Sequence, residues 1–282
     1  MLNSLWYFYL YAFVGWCAEV AFAAVKNGRF VNRGFLNGPV CPIYGVGLVA
    51  VLWALSPFQH NLLALYLGAV VLTTGIEWAT GFFMEKLFHQ RWWDYSRMPL
   101  NIGGYVCLLF SLVWGVACVF IVEVLHPLVA RLVLMLPQPW SVLLLAVFSA
   151  TLLADVCVTV ATVTRLNRRL SQIDDVAAAI RAVSDRLGNT LADGALALKT
   201  TDEIACDDLA EAQLRAKNAL LAADEKTRAE LKARHAELIE RLERGQSRIL
   251  NAFPALRSVQ HPAALGEMKA RLSRLRERRA KR

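Results

Sequence analysis

The chain has 282 residues, of which 56% are hydrophobic and 19% are charged, and its formal net charge is +8. Soluble domains are usually ~45–50% apolar and ~25% charged, so this composition argues against a soluble globular protein. Residues 1–164 hold 7 Lys/Arg and 6 Asp/Glu, whereas residues 165–282 hold 24 Lys/Arg and 17 Asp/Glu. We therefore predict two domains, a transmembrane domain at 1–165 and a cytosolic, basic, helical tail at 166–282.

Five apolar runs in the first part are long enough to approach the ~20 residues that a spanning helix needs. They are Leu5–Val25, Val40–Ser56, Leu62–Met84, Ile102–Leu125 and Ser141–Thr164. The second run is the shortest, and Pro42, Gly45 and Gly47 interrupt its start. The sequence therefore predicts an all-α fold, a polytopic membrane bundle of about five spans.

Basic residues alternate between the connections of these runs. The first, third and final connections hold Lys26, Arg29, Arg33, Lys86, Arg91, Arg97, Arg165, Arg168 and Arg169. The second connection holds none, and the fourth holds only Arg131. Because Lys and Arg accumulate in cytosolic loops, we predict that the N-terminus is outside and the C-terminal tail is in the cytosol.

The start of the tail repeats apolar residues at steps of three and four, which is typical of a short coiled-coil seam. The seam residues are Leu166, Leu170, Ile173, Ala177, Ile180, Ser184 and Leu187. Gly188-Asn189 is expected to end this helix, and Pro262 to begin the last helix after a connection at Asn251–His261. The seam could dock a partner or join two copies of the chain.

The chain ends with seven basic residues among its last twelve, which are Arg271, Arg274, Arg276, Arg278, Arg279, Lys281 and Arg282. Such a cluster beside an inner leaflet favours anionic lipid, at ~1 kcal/mol per basic residue near the surface. Nucleic acid is the weaker alternative, because no nucleic-acid-binding fold signature is present. A solvated charged helix is the third alternative.

Three acidic residues, Glu19, Glu77 and Asp155, lie inside the predicted spans. An acid near the bilayer centre costs ~2.5–3.5 kcal/mol on insertion scales, so such residues are functional candidates. Counted from the predicted cytosolic ends, they lie about 9, 10 and 13 Å deep, with Glu85 at the rim. They could form one cytosol-facing site for a substrate, an ion or a proton, or they could pair with arginines to lock the helices together.

The first connection contains an unusual stretch, Asn32–Gly45, with two prolines and three glycines that forbid a regular helix. Its free amides, with Arg33 and Tyr44, could line a cavity and face an anionic group. The alternative is an ordinary tight loop before the second helix.

The third connection, Arg91–Gly104, places Asp94 and Asn101 beside a Trp-Trp pair. Such a pair is typical of an interfacial anchor, which does not require the two polar residues. The predicted substrate-binding site comprises Glu19, Glu77, Arg33, Asp94, Asn101, Tyr44, Glu85 and Asp155.

Common catalytic signatures are missing from the chain. There is no GxxxxGK[ST] phosphate loop, no HExxH and no GxSxG, which argues against an ATPase, a metalloprotease and a serine hydrolase. The six cysteines lack CxxC spacing, and we interpret them as small apolar packing residues. We therefore predict no catalytic residue, no metal and no cofactor, and any ATP-driven cycle would need a second chain.

Several of these motifs together resemble a bacterial family of small multi-spanning proteins described as Putative ABC-transporter type IV. The resemblance rests on Gly15-Trp16 with Glu19, Asn32–Gly45, Glu77, Trp93-Asp94-Tyr95, and Asn101 with Gly103. It covers roughly residues 5–125. It implies a permease in the inner membrane of a bacterium, partnered by a separate ATPase subunit.

Three functional hypotheses follow from the sequence. The leading one is a permease-like transport subunit with a cytosol-facing polar site built on Glu19 and Glu77. The second is a membrane-embedded enzyme acting on a lipid headgroup, because two carboxylates beside an arginine suit acid–base work and phosphate binding. The third is a membrane-anchored scaffold that works through its cytosolic helices.

Overall fold

A computed structural model of the protein describes residues 2–200 and 207–280, and this part of the chain is almost entirely helical. The helices are α1 (Leu2–Asn27), α2 (Pro42–Ala54), α3 (Leu62–Phe88), α4 (Leu108–Phe120), α5 (His126–Leu134), α6 (Gln138–Thr200), α7 (Asp207–Ala252) and α8 (Pro262–Ala280). A π-helical segment, Ile121–Leu125, joins α4 to α5, and a 3-10 turn, Ser56–Phe58, follows α2.

The described residues include four two-residue strands in the connections, and these form two antiparallel pairs. They are β1 (Gln90–Arg91), β2 (Asn101–Ile102), β3 (Val106–Cys107) and β4 (Arg257–Ser258). β2 pairs with β3 inside the connection between α3 and α4. β1 pairs with β4, which comes from the far end of the chain, with Gln90 opposite Ser258 and Arg91 opposite Arg257.

Within residues 2–200 and 207–280, four helical stretches are long and apolar enough to cross a membrane. They are Leu2–Lys26, Leu62–Phe88, Leu108–Leu134 and Gln138–Thr190. Large apolar side chains on their surfaces are exposed, as a lipid-facing surface requires, including Phe22, Val71 and Leu153. The prediction of several apolar helices of membrane length is therefore confirmed for four helices.

The second apolar run of the sequence forms a shorter helix than the others. α2 has 13 residues, which at 1.5 Å per residue is ~20 Å, less than the ~30 Å of a hydrocarbon core. Pro42 can begin this helix but not continue one from the preceding residues, and Pro57 follows its end. The count of five spans and the orientation of the bundle stay predictions.

The described chain divides into two compact units. One comprises the chain up to Arg165 together with Ser247–Gln260, and the other comprises Leu166–Gln246 and the chain from His261 onward. We call the first the membrane unit and the second the tail unit. The sequence-based division into independent domains at 165/166 stays a prediction.

Small residues and interhelical hydrogen bonds hold the membrane unit together. Gly15 on α1 packs against Tyr44, and Gly45 on α2 packs against the backbone of Phe8. Trp6 Nε1 donates to Ser141 Oγ at 2.6 Å, which ties α1 to α6. Between helices in lipid, close packing and such hydrogen bonds replace the hydrophobic effect as the stabilising interactions.

The coiled-coil seam of the sequence is buried within the tail unit. Leu166, Leu170 and Ile173 have no exposed surface. On the same stretch of α6, Asp174 Oδ2 lies 2.8 Å from His261 Nδ1 at the start of α8. Self-association through this seam, which stays a prediction, would require the seam to be uncovered.

The ends of the tail helices follow the sequence in part. α8 begins at Pro262, as the sequence predicts, whereas the expectation that Gly188-Asn189 ends the first tail helix is wrong, because α6 continues to Thr200. One glycine costs a helix only ~1 kcal/mol relative to alanine, and the turns on both sides are rich in helix formers. Lys281 and Arg282 of the basic end lie outside the described residues.

Gly45→Ala should destabilise the protein, because the added Cβ would lie 2.5 Å from the carbonyl oxygen of Phe8 on α1. Overpacking of this kind costs ~1–3 kcal/mol, which corresponds to a fall in Tm of about 2–10 °C. Gly47→Ala on the same helix is the matched control, because a Cβ there meets nothing within 4 Å. Thermal unfolding of the purified protein measures both, and equal Tm values would contradict the packing of α1 on α2.

Candidate functional site

The connection between α1 and α2 does not leave the end of α1 but folds back along it. Cys41 N donates to Ala12 O at 2.9 Å. Ala12 lies 15 residues before the end of α1 at Asn27, which is ~22 Å along the helix axis. Residues 28–41, here called the fold-back loop, therefore bring non-helical backbone alongside a membrane-length helix. Backbone in that position must find hydrogen-bond partners within the protein.

Asn32 organises the first part of the fold-back loop. Its Oδ1 accepts from Trp16 Nε1 at 2.8 Å and from Gly34 N at 3.0 Å, and its Nδ2 donates to Asn37 O at 2.9 Å. One amide side chain thus ties the loop to α1 and closes it on itself.

Asp155 on α6 holds the second part of the loop. Its carboxylate accepts from Gly38 N at 2.7 Å, from Asn37 N at 3.1 Å and from Asn37 Nδ2 at 2.7 Å. Thr159, one turn further along α6, donates to the same carboxylate at 3.2 Å. Asp155, a predicted site residue, is therefore fully occupied by loop amides, and it is not among the residues that line the cavity described next.

A cavity of about 370 Å³ lies between α1, α2, α3, α4 and the loops that follow α1 and α3. Four predicted site residues line it, and they are Glu19, Arg33, Tyr44 and Glu77. Tyr44 Oη donates to Glu19 Oε1 at 2.7 Å, and Arg33 Nε lies 3.5 Å from Glu19 Oε2. Tyr95 also lines the cavity.

Seven further aromatic side chains line the cavity. They are Phe35, Phe88, Trp92, Trp93, Tyr95, Trp114 and Phe253. Trp92 has its ring centroid 5.0 Å from that of Phe35 and 4.8 Å from that of Phe253, both in edge-to-face geometry. The sequence analysis interpreted Trp92 and Trp93 as an interfacial anchor and missed that they line the cavity. A Trp-Trp pair near a helix end fits both positions, so the sequence pattern alone could not distinguish them.

Three buried polar atoms of cavity-lining residues have no hydrogen-bond partner among the described residues. They are Arg33 Nε, Glu77 Oε2 and Trp92 Nε1. Leaving a buried donor or acceptor unsatisfied costs ~1–3 kcal/mol, and more for a charged group. These three residues therefore combine a place in the cavity lining with a polar atom that the described residues leave unpaired.

The other predicted site residues lie in a separate network in the connection between α3 and α4. Glu85 Oε2 accepts from Arg91 Nε at 2.8 Å, and Arg91 Nη1 lies 3.7 Å from Asp94 Oδ1. Asn101 Nδ2 donates to Met98 O at 2.8 Å. Glu85, Asp94 and Asn101 do not line the cavity, and their contacts shape this connection instead.

Charges within that network shift the pKa values of its members. The hydrogen bond with Glu85 raises the pKa of Arg91 above its ordinary value, against the opposing effect of burial. Burial alone would raise the pKa of Asp94, but hydrogen bonds from Ser96 and the positive charges of Arg257 and Arg91 hold it below the ordinary aspartate value. Asp94, with 8% of its side chain exposed, is thus a carboxylate at neutral pH.

Metal binding has no support in this part of the chain. Among residues 2–200 and 207–280, no three His, Cys, Asp or Glu side chains come together in a metal-binding arrangement.

Comparison with known proteins identifies the membrane unit. Residues 6–160 match the family model described as Putative ABC-transporter type IV. The chain belongs to this family. The match extends beyond the residues 5–125 on which the sequence resemblance rested. No curated protein and no solved structure matches the chain.

Every residue that lines the cavity except Phe253 lies within this family match. Together with the four membrane-length helices, the match makes the chain a membrane protein of the family described as Putative ABC-transporter type IV. Phe253 belongs to Ser247–Gln260, which lies after the family region but within the membrane unit. We call Ser247–Gln260 the return segment.

Two arginines anchor the return segment to the membrane unit. Arg248 donates to Gly34 O at 3.3 Å and to Leu36 O at 3.1 Å through Nη1, and to Phe35 O at 3.2 Å through Nη2. Burial lowers the pKa of Arg248, and the charge of Asp155 opposes this shift. The second anchor, Arg257, has its Nη1 2.8 Å from Asp94 Oδ2.

Backbone pairing adds to these two anchors. β4 of the return segment pairs with β1, and Val259 N donates to His89 O at 3.0 Å. The sequence predicted only a connection between two tail helices here. The charge pattern of the return segment did not indicate that it packs on the membrane unit, because most of its hydrogen-bond partners there are backbone carbonyls.

Proposed function

We propose that the chain is the membrane subunit of a transport system, with its substrate site in the cavity lined by Glu19, Arg33, Tyr44 and Glu77. One observation carries this proposal, namely that a cavity of about 370 Å³ brings together Glu19, Arg33 and Glu77, all within the family-matched part of the chain. Small-molecule sites typically have volumes of ~300–1,000 Å³, mostly apolar walls and a few polar groups that fix orientation.

We place the chain in the inner membrane of a bacterial cell. The N-terminus lies outside, and the cavity opens toward the cytosol. The basic residues of the first and third connections support this orientation, because Lys and Arg favour the cytosolic side. In the same orientation the tail unit is cytosolic, and its basic C-terminus is available to anionic lipid.

An ATP-driven cycle would require a separate ATPase subunit, because the chain has no GxxxxGK[ST] motif. The lipid-headgroup enzyme draws on the same two carboxylates and is the competing proposal. The transport proposal requires an ATPase partner in the native membrane, whereas the enzyme would convert a lipid without any partner.

Purification of the full chain from native membranes in mild detergent, followed by quantitative mass spectrometry, tests the transport proposal. We expect an ATP-binding chain in near-stoichiometric amount. Glu77→Gln should reduce the ATP hydrolysis of that complex about tenfold, because it replaces an acidic side chain of the cavity with an amide. Glu123→Gln, at an exposed glutamate outside the cavity, is the matched control.

The opposite result would be a chain that purifies without an ATPase and converts a bilayer lipid on its own. That result would replace the transport proposal with the enzyme, and loss of lipid conversion in Glu77→Gln would then assign the reaction to the same cavity.

A further inference from the structure

We infer that the cavity binds an uncharged ligand with an apolar body, and that Gly47 and Phe253 determine how large this body can be. The inference names the ligand class for the site of the proposed function, and it rests on that function only for the location of the site. It is supported by the residues that line the cavity, by an ion pair among them and by the free space in front of Gly47.

The lining of the cavity is largely apolar. It includes six aromatic side chains that have no ionisable group, namely Phe35, Phe88, Trp92, Trp93, Trp114 and Phe253. The aliphatic residues Ile43, Leu48 and Ile76 line it as well. Such walls favour a ligand with an apolar surface, because binding removes both surfaces from water.

Two of the charged residues that line the cavity already pair with each other. Arg33 Nε lies 3.5 Å from Glu19 Oε2, and Tyr44 Oη donates to Glu19 Oε1 at 2.7 Å. A ligand with a net charge would have to compete with this pair or leave its own charge without a partner beside apolar walls. Because an unpaired charge in such a place is strongly unfavourable, an uncharged ligand is favoured.

The third acid of the lining, Glu77, can form a hydrogen bond without requiring a charged ligand. Thr73, Glu77 and Thr80 follow one another on α3 at steps of four and three residues, which places them on one face of the helix, and all three line the cavity. A carboxyl group and a hydroxyl can each accept a hydrogen bond from a neutral donor. This face of α3 therefore suits an uncharged polar group, such as a hydroxyl, on the ligand.

Gly47 keeps part of the cavity open at α2. It is buried, yet an added Cβ would meet no atom of the described residues within 4 Å apart from its own stretch of helix. Since Gly47 also lines the cavity, the free space in front of it belongs to the cavity. A larger residue at this position would occupy the space of the ligand without clashing with the protein.

Phe253 bounds the cavity beside Trp92, with the two ring centroids 4.8 Å apart. The return segment that carries Phe253 is firmly held, because Ile249 and Leu256 are buried and Arg248 donates to three backbone carbonyls. Phe253 is therefore a fixed part of the wall, and its truncation would enlarge the cavity.

The volume of the cavity indicates the size of the body. An engineered apolar cavity of ~150 Å³ holds one benzene ring, so a cavity of about 370 Å³ has room for two fused rings with a short side chain. Such a ligand can come from water as a free alcohol, or from the bilayer as an uncharged lipid such as diacylglycerol, with part of the lipid in the cavity.

Equilibrium binding to the full chain in phosphatidylcholine nanodiscs, with binding to empty nanodiscs subtracted, tests the ligand class. The probes are naphthylethanol, naphthylethylammonium and naphthylacetate, which share a naphthyl body and are uncharged, cationic and anionic. We expect naphthylethanol to bind at least about tenfold more tightly than either charged probe. Nanodiscs that also contain diacylglycerol identify the lipid source if that lipid displaces naphthylethanol or is retained by the chain in its place.

Gly47→Leu should weaken naphthylethanol binding at least about tenfold, because the new side chain occupies the space of the ligand. Gly75→Leu on α3 is the matched control, because Gly75 is exposed, has the same free space for a Cβ and does not line the cavity. Gly47→Ala, which fills less of the cavity, is a second variant in case Gly47→Leu does not fold, and a smaller weakening is expected. Equal affinities in the Gly47 and Gly75 variants would overturn the role of Gly47.

Phe253→Ala should change the size preference in the opposite direction. We expect the affinity for the larger anthracenylethanol to rise about tenfold relative to that for naphthylethanol. Phe83→Ala, at an exposed phenylalanine of α3 that does not line the cavity, is the control. An unchanged ratio in Phe253→Ala would overturn the role of Phe253.

A charged probe that binds as tightly as naphthylethanol would overturn the inferred ligand class, as would a wild-type chain that binds neither naphthylethanol nor diacylglycerol. These results are measured on the chain alone and concern the ligand, whereas failure of the transport proposal appears as absence of the ATPase.

Discussion

The fold-back loop can lie beside α1 only if its backbone finds partners inside the protein, and the rest of the site depends on this constraint. A polar backbone group left unpaired in an apolar environment costs several kcal/mol. Asp155, Asn32 and the Ala12 carbonyl provide the partners. Since the loop is held in this way, α2 begins beside the middle of α1, and the cavity beside α3 is not filled by the loop.

Two of the acids inside the predicted spans thus have different roles. Asp155 accepts four hydrogen bonds and holds the loop, whereas Glu77 keeps one oxygen without a donor beside a cavity. The sequence could not separate these roles, because both acids simply interrupt an apolar run. What distinguishes them is the loop that reaches Asp155 across more than a hundred residues of chain, which no local pattern encodes.

Local signals explain what the sequence did predict. Apolar length predicted α1, α3 and the start of α6, and Pro262 marked the start of α8. Pairing of the acids with arginines was one alternative that the sequence left open, and Glu19 does lie 3.5 Å from Arg33 Nε. The shortness of α2 and the docking of the return segment depend on tertiary contacts, chiefly with backbone carbonyls, and so could not be predicted from residue type.

The position of the fold-back loop against α6 is the central claim, and cross-linking of two introduced cysteines in the native membrane tests it directly. With the natural cysteines replaced, Asn37→Cys and Thr159→Cys should be joined by a short bis-methanethiosulfonate reagent, because the two native side chains are in contact, with Asn37 Nδ2 3.1 Å from Thr159 Oγ1. Asn37→Cys with Val158→Cys, at an exposed neighbouring position, should not cross-link. Absence of the first cross-link, with free labelling of residue 37 by a water-soluble maleimide, would contradict the account.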